Sequence, residues 1–95
     1  MDDWRDIPGF PNYSINQRGE LYNKSTDNYP TGSTRSGLRT YVVVAGDIRL
    51  TTAKPKTIGA HRLVALAFLD IPLTATVRHR DGDKLNNSPE NLYEK

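Results

Sequence analysis

The stretch from Val77 to Leu92 restricts the fold of this chain more than any other part of the sequence. It reads V-R-H-R-D-G-D-K-L-N-N-S-P-E-N-L. Residues 75–79 are typical of a strand, the Asp81-Gly82 pair is a strong turn signal, and Leu92-Tyr93 follows a polar loop. The pattern predicts a terminal β-hairpin with a histidine, His79, at the end of its first strand.

The overall composition restricts the class of protein. A chain of 95 residues forms one domain with a limited core. The chain has no cysteine, which excludes a disulfide framework and a thiolate zinc site and fits a reducing cytoplasm. No apolar run approaches the roughly 20 residues that a membrane-spanning helix needs, and the acidic start of the chain is unlike a secretory signal. We therefore expect a cytoplasmic protein with no membrane partner.

Positive charge is concentrated in the middle of the chain, although the net charge is only +2. The stretch from residue 35 to residue 62 carries six positive side chains and one negative side chain, a local charge of +5. The positive residues are Arg35, Arg39, Arg49, Lys54, Lys56 and Arg62. Basic residues among strand-forming residues are typical of a surface that lies along nucleic-acid phosphates. The alternative is an ordinary solvated face, and the charges alone do not decide between the two.

The first two thirds of the chain predict β-hairpins. Residues 13–23 contain two short alternating segments around Gln17-Arg18-Gly19 and should form one hairpin. Residues 24–37 are rich in Ser, Thr, Asn, Gly and Pro and have no apolar period, so they should form a loop. Residues 39–52 should form a second hairpin whose return strand is residues 48–52. Residues 53–56 contain a proline that argues against a central strand.

One helix is predicted, over residues 61–69. Leu63, Val64, Ala67 and Phe68 recur on one apolar face, and Ala65 should lie toward the other side. The predicted fold class is therefore α+β, with small antiparallel hairpins first, then one packed helix, then the terminal hairpin.

Two parts of the chain resemble phage HNH homing endonucleases. The segment W-R-D-I-P-G-F-P-N-Y-S-I-N-Q-R-G-E-L-Y-N resembles the DNA-binding module at the start of these enzymes. The segments A-H-R-L-V-A-L-A-F and V-R-H-R-D-G-D-K-L-N-N-S-P-E-N-L resemble their HNH motif, whose fold is the ββα-metal motif. The resemblance implies a β-rich DNA-binding module at residues 1–57 and a truncated HNH-like segment at residues 58–95, together forming one compact unit.

The resemblance also assigns roles to single residues. It implies that His79 is the catalytic general base. It also implies that Asn91 is a catalytic-site residue whose role is to steady the catalytic loop. Arg78 stands where the family has a metal-binding aspartate. The family's other metal ligand lies on a following helix, and this sequence ends at Lys95. We therefore expect both protein ligands to be absent, no metal site and no cofactor, with Mg²⁺ required only if endonuclease activity remains.

The chemistry of Arg78 supports that expectation. A guanidinium does not ligate Mg²⁺ and repels a nearby divalent cation, whereas it binds phosphates readily. Asp81 or Asp83 could substitute as a ligand, but a carboxylate in a turn usually bonds its own backbone amides. For His61, which opens the helix, packing or a phosphate contact is favoured over a role as a second base.

Three functions remain open at this point. The favoured one is a DNA-binding protein with little or no cleavage, whose partner is double-stranded DNA. The second is an active Mg²⁺-dependent nicking endonuclease. The third is a phage-encoded inhibitor that binds a host or defence protein, in the cytoplasm of the host cell. For the first, the expected nucleic-acid contacts are Arg35, Arg39, Arg49, Lys54, Lys56, Arg62 and Arg78.

Overall fold

The computed structural model describes residues 2–46 and 54–95. Their elements in chain order are β1 (Arg5–Ile7), β2 (Phe10–Ile15), β3 (Leu21–Asn23), β4 (Ser33–Arg35), β5 (Leu38–Val43), β6 (Lys56–Gly59), α1 (Ala60–Leu69), β7 (Val77–His79), a 3-10 turn (Pro89–Asn91) and β8 (Leu92–Glu94). These elements confirm the predicted α+β fold class.

The first sheet has the order β1-β2-β3 and is antiparallel throughout. Strands β2 and β3 pair Tyr13 with Asn23 and Ile15 with Leu21, which confirms the predicted hairpin over residues 13–23. The turn between them places Gly19 at a φ of 79°, a left-handed conformation that glycine adopts without strain. Strand β1 was not predicted from the sequence, because its three residues are too few to show a period.

The second sheet has the order β4-β5-β6 and corrects the prediction of a loop over residues 24–37. The expected loop over residues 24–37 contains strand β4, which pairs with β5 through Arg35 and Leu38. In addition, the described partner of β5 on its other side is β6, in which Lys56 pairs with Val43. The predicted return strand at residues 48–52 lies outside the described residues. Strand β6 begins just after Pro55 and lies at the edge of the described sheet, where a neighbouring proline costs least.

Helix α1 lies against both sheets and the terminal hairpin, and the predicted helix over residues 61–69 is confirmed. Leu63 and Val64 are fully buried, as expected from the apolar face. The expectation for Ala65 was wrong, because this residue is also fully buried while Phe68 is only half-buried. The helix packs against elements on several sides, so its buried surface is wider than a single stripe of large residues indicates. No helix in the described ranges is long and apolar enough to cross a membrane.

The terminal hairpin is formed by β7 and β8, which confirms the predicted pairing of the His79 strand with Leu92-Tyr93. The register pairs Arg78 with Tyr93 and His79 with Leu92. Val77 and Leu92 belong to the same buried cluster as the helix residue Leu63 and the first-hairpin residue Ile15. The hairpin is therefore attached to the core, and the loop between its strands, residues 80–91, carries the candidate site.

Candidate functional site

His79 is held at the end of β7 by one side-chain hydrogen bond. Its Nε2 lies 2.9 Å from Oδ1 of Asn87, a residue that is only 4% exposed. An amide oxygen accepts hydrogen bonds and does not donate them, so Nε2 carries the proton when the ring is neutral. The neutral imidazole then has Nδ1 free to accept a proton from water. This is the tautomer that a general base needs.

Asn87 is positioned in turn by the first hairpin. A Cβ on Gly19 would lie 3.1 Å from the Cβ of Asn87, so the turn approaches this side chain as closely as a glycine allows. The carbonyl of Gly19 accepts a 2.9 Å hydrogen bond from the buried hydroxyl of Tyr41. Residues distant in sequence thus fix the amide that orients His79.

The loop after β7 is closed by Asn91 and Asp81. Nδ2 of Asn91 donates to Oδ1 of Asp81 and to the carbonyl of Asn86, both at 2.9 Å. Oδ1 of Asn91 accepts from the backbone amide of Asp81 at 3.2 Å. The remaining carboxylate oxygen of Asp81 accepts from Nδ2 of Asn86 at 2.9 Å. The side chain of Asn91 therefore joins the two ends of the loop.

The carboxylate of Asp81 is committed to this loop. Besides the two asparagine amides, it accepts a 2.8 Å hydrogen bond from the backbone amide of Asp83. The hydrogen bond from Asn86 is the main reason that the pKa of Asp81 lies below its ordinary value, followed by the bonds from Asp83 and Asn91. Hydrogen bonds to the charged form favour ionisation. Asp81 is thus an ionised structural carboxylate with both oxygens engaged.

His61 lies beside His79 with its ring centroid 5.2 Å away. Its Nδ1 is buried and has no hydrogen-bond partner within the described residues, because the ring packs against the backbone of Gly59. Burial lowers the pKa of His61 to about 4, and the neighbouring His79 and Arg62 act in the same direction. At neutral pH His61 is therefore an uncharged ring that packs against the histidine expected to act as the base.

A groove of about 320 Å³ opens beside the two histidines. It is lined by Leu38, His61, Val77, Arg78, His79, Gly82, Lys84 and Tyr93. Arg78 is exposed and makes no ion pair with any described residue. Lys84 reaches across from the loop, and its Nζ donates a 3.2 Å hydrogen bond to the carbonyl of Ser36 in the β4–β5 turn. The groove thus has two cationic side chains on its walls and a candidate base next to them.

The other expected nucleic-acid contacts fall into separate places. Arg35 is exposed on β4, and Lys56 is exposed at the start of β6. Lys54 is exposed just before β6, Arg62 is half-buried in the first turn of α1, and Arg49 lies outside the described residues. The guanidinium of Arg39 donates to the backbone carbonyl of Thr31, so part of its hydrogen-bonding capacity is used within the protein. Arg35, Lys54 and Lys56 are therefore the cations in or next to the second sheet with the best access to a ligand.

Two residues of the site were missed by the sequence analysis, which named His79, Asn91 and Arg78. Asn87 bonds His79, and Lys84 lines the groove. The sequence signal for Asn87 was its place in the polar pair Asn86-Asn87, which follows the Asp81-Gly82 turn. That pair does not say which of the two amides approaches the imidazole. Lys84 carried no signal, because its position depends on the β4–β5 turn.

Comparisons with known proteins give consistent matches. Residues 59–95 match the family described as HNH endonuclease. The chain is 33% identical over 90 residues to an uncharacterized HNH endonuclease of Acanthamoeba polyphaga mimivirus, an alignment covering 94% of this chain and 26% of the relative. It is 30% identical over 95 residues to the H-N-H endonuclease F-TflII of Escherichia phage T5, covering 97% of this chain and 47% of the relative.

A solved structure also matches the fold. The HNH homing endonuclease I-HmuI, described in terms of its DNA binding and cleavage, matches with a TM-score of 0.79 and 28% identity. The match covers 98% of this chain and 52% of that one. This chain therefore spans between about a quarter and a half of the length of the proteins that it resembles.

Proposed function

Because the chain is related to the HNH homing endonucleases along nearly its whole length, with residues 59–95 matching the HNH family itself, we propose that it binds double-stranded DNA and cleaves it little or not at all. The DNA-binding half of the proposal is supported by the structural relative I-HmuI, which binds and cleaves DNA. The proposal that cleavage is weak or absent depends on residues of this chain alone.

The observation that carries DNA binding is a continuous path from the second sheet into the groove. Side chains alternate between the two faces of a strand, so Leu38, Thr40 and Val42 share the face of β5 that is opposite to the buried Tyr41 and Val43. Val42 is 61% exposed on this face.

The same outer face leads to cationic side chains at the Leu38 end of β5. Arg35 pairs with Leu38 across β4 and β5, and Leu38 also lines the groove that contains Arg78 and Lys84. A duplex lying on the outer face would therefore contact Arg35 on the sheet and, beyond Leu38, the groove. Such contacts to phosphates dominate affinity without specifying sequence.

The proposal of weak or absent cleavage follows from the ligands that the site offers to a divalent cation. Mg²⁺ prefers carboxylate and other oxygen ligands in octahedral geometry. The groove offers two imidazole rings and, at the position next to the base, the guanidinium of Arg78. The nearby carboxylate of Asp81 is held by hydrogen bonds within its own loop. Within the described ranges, no group of three or more acidic or histidine side chains is arranged to hold a metal ion. The residues present therefore do not fit Mg²⁺.

The residues of the site can still perform part of the chemistry. His79, in the tautomer fixed by Asn87, is suited to take a proton from water. Arg78 and Lys84 are suited to neutralise a phosphate. Electrostatic stabilisation by a metal is worth several kcal/mol in phosphoryl transfer, and two surface cations beside open solvent do not replace it. We therefore propose binding as the main activity.

DNA binding is tested by fluorescence anisotropy with labelled duplexes of unrelated sequence. Binding through phosphates should weaken at least about 10-fold between about 50 mM and 200 mM salt and differ little between sequences. Arg35→Gln should lower the salt dependence, while the charge-matched control Lys24→Gln should not, because Lys24 already pairs with Asp6 on the first sheet. An affinity that is independent of salt would contradict the proposal. A protein partner recovered in stoichiometric amount, with no DNA binding, would favour the inhibitor function instead.

A further inference from the structure

We propose that the groove beside His79 binds one phosphate of the DNA backbone through Arg78 and Lys84, without a divalent cation. This inference depends on the proposed DNA binding and extends it, because it assigns the phosphate site and excludes a metal ion from it. Arg78, which stands where the resemblance to HNH homing endonucleases implies a metal-binding aspartate, thus carries the positive charge itself.

Arg78 and Lys84 both have hydrogen-bond donors that no described residue uses. Arg78 is exposed and has no ion pair within the described ranges, so its five N–H donors are available to a ligand. Lys84 uses one of its three donors on the carbonyl of Ser36. That bond holds the ammonium group in place and leaves two donors for a phosphate oxygen. A guanidinium and an ammonium on one groove match the oxygens of a phosphodiester.

Lys84 is also held by two different elements. It belongs to the loop after β7, and its Cδ would lie 3.4 Å from a Cβ on Gly37, so its stem packs against the β4–β5 turn. A lysine fixed in this way loses less side-chain entropy when it binds a ligand than a free surface lysine does. Because the bond from Lys84 to Ser36 forms without a ligand, the groove is partly preorganised for binding.

The two aspartates of the loop do not face the groove, where a carboxylate would oppose an anion. Asp81 accepts hydrogen bonds from Asn86, Asn91 and the amide of Asp83. Asp83 itself accepts a 3.0 Å bond from the amide of Leu85. Neither aspartate is among the residues that line the groove.

Another positive charge lies on the same hairpin. The guanidinium of Arg80 lies over the ring of Tyr93 at 5.0 Å, and Tyr93 lines the groove. Arg80 therefore adds positive potential near the site, and its guanidinium is positioned by the ring of Tyr93. The groove is cationic along the exposed side of the hairpin, which suits a phosphate and disfavours Mg²⁺.

The test compares DNA affinity in EDTA and in Mg²⁺ at matched ionic strength, by anisotropy with a labelled duplex. Wild-type affinity should be the same in both buffers within about 2-fold. Arg78→Gln and Lys84→Gln should each weaken binding in EDTA by about 5-fold and lower the slope of log affinity against log salt by about 1. Arg78→Lys, which retains the charge, should bind within about 2-fold of the wild type. Lys24→Gln is the control for loss of one positive charge elsewhere.

The outcomes separate this inference from the proposed function. If the wild type binds DNA but both glutamine variants bind equally well, the phosphate site is wrong and DNA binding stands. If Mg²⁺ strengthens wild-type binding several-fold over EDTA, the claim that no divalent cation is needed is wrong. If the wild type binds no duplex in either buffer, the proposed function fails and this inference fails with it. Circular dichroism of each variant confirms that the exposed substitutions leave the fold intact.

Discussion

The stability of this protein should fall as the pH is lowered from neutrality, because of His61. Its ring is largely buried and its Nδ1 has no partner within the described residues, so the folded state disfavours the charged imidazolium. The pKa is lowered from 6.5 to about 4. The unfolded chain therefore takes up a proton at a higher pH than the folded chain does. The stabilising contribution is complete above pH 6.5 and is lost as the pH falls toward 4.

The size of the effect follows from the two pKa values. Proton linkage gives an upper limit of about 1.8 kcal/mol lost between about pH 7 and pH 5. Partial exposure of the ring lets water screen the charge, and we expect about 1 kcal/mol. Asp6, Glu20 and Asp81 also have lowered pKa values, but their losses occur at lower pH, below the ordinary carboxylate values near 4. The change in the free energy of unfolding between pH 7 and pH 5 therefore reports mainly on histidine and not on these carboxylates.

Urea denaturation monitored by circular dichroism at the two pH values measures this loss. The variant His61→Phe removes the titrating group and keeps an aromatic ring beside His79, so its stability should change less between the two pH values than that of the wild type. His61→Gln serves as a second variant if the larger phenylalanine ring is poorly accommodated against Gly59. The variant His79→Gln is the matched control, because it retains the buried imidazole. An equal loss in the wild type and in His61→Phe would refute the reasoning, and so would a wild type whose stability is the same at both pH values.

Three further substitutions test the packing and the loop, each by urea denaturation. Asn91→Ala removes the amide that bonds the Asp81 side chain and backbone and should cost about 2 kcal/mol, whereas a loss below about 0.5 kcal/mol would show that the loop does not depend on it. Gly32→Ala should destabilise by about 2 kcal/mol or more, because Gly32 has a φ of 71° and an added Cβ would meet the Thr40 carbonyl oxygen at 2.5 Å; wild-type stability would contradict that geometry. Asn16→Ala should cost about 1–3 kcal/mol, because this fully buried side chain bonds two backbone amides in the β2–β3 turn, and a neutral effect would count against their importance.

The parts of the fold that could be predicted from the sequence are those with a strong local pattern. The apolar spacing from Leu63 to Phe68 indicated the helix, and the turn residues around Gly19 indicated the first hairpin. Strand β4 was missed because all three of its residues, Ser33–Arg35, are exposed and have no apolar period. Its pairing with β5 is set by the Ser36-Gly37 turn, whose positive φ values of 52° and 80° match the twist of a tight hairpin.

In the candidate site too, the local sequence pattern identified residues but not the contacts that depend on the tertiary fold. The pattern around the Asp81-Gly82 turn was sufficient to single out His79 and Asn91. It could not show that Asn87 bonds His79, because that contact depends on the approach of Gly19 from the first hairpin. Nor could it show that His61 and His79 lie side by side, since β7 meets the start of α1 only in the folded chain.

A plasmid nicking assay tests most directly the proposal that this chain binds DNA without effective cleavage. Purified protein is incubated with supercoiled plasmid in Mg²⁺ or Mn²⁺, beside the His79→Ala variant and under salt conditions in which the wild type binds duplex DNA. We expect the plasmid to remain supercoiled with both proteins, because Arg78 stands beside the base and Asp81 is held within its own loop. Robust nicking by the wild type that His79→Ala abolishes would contradict the proposed function and establish an active endonuclease.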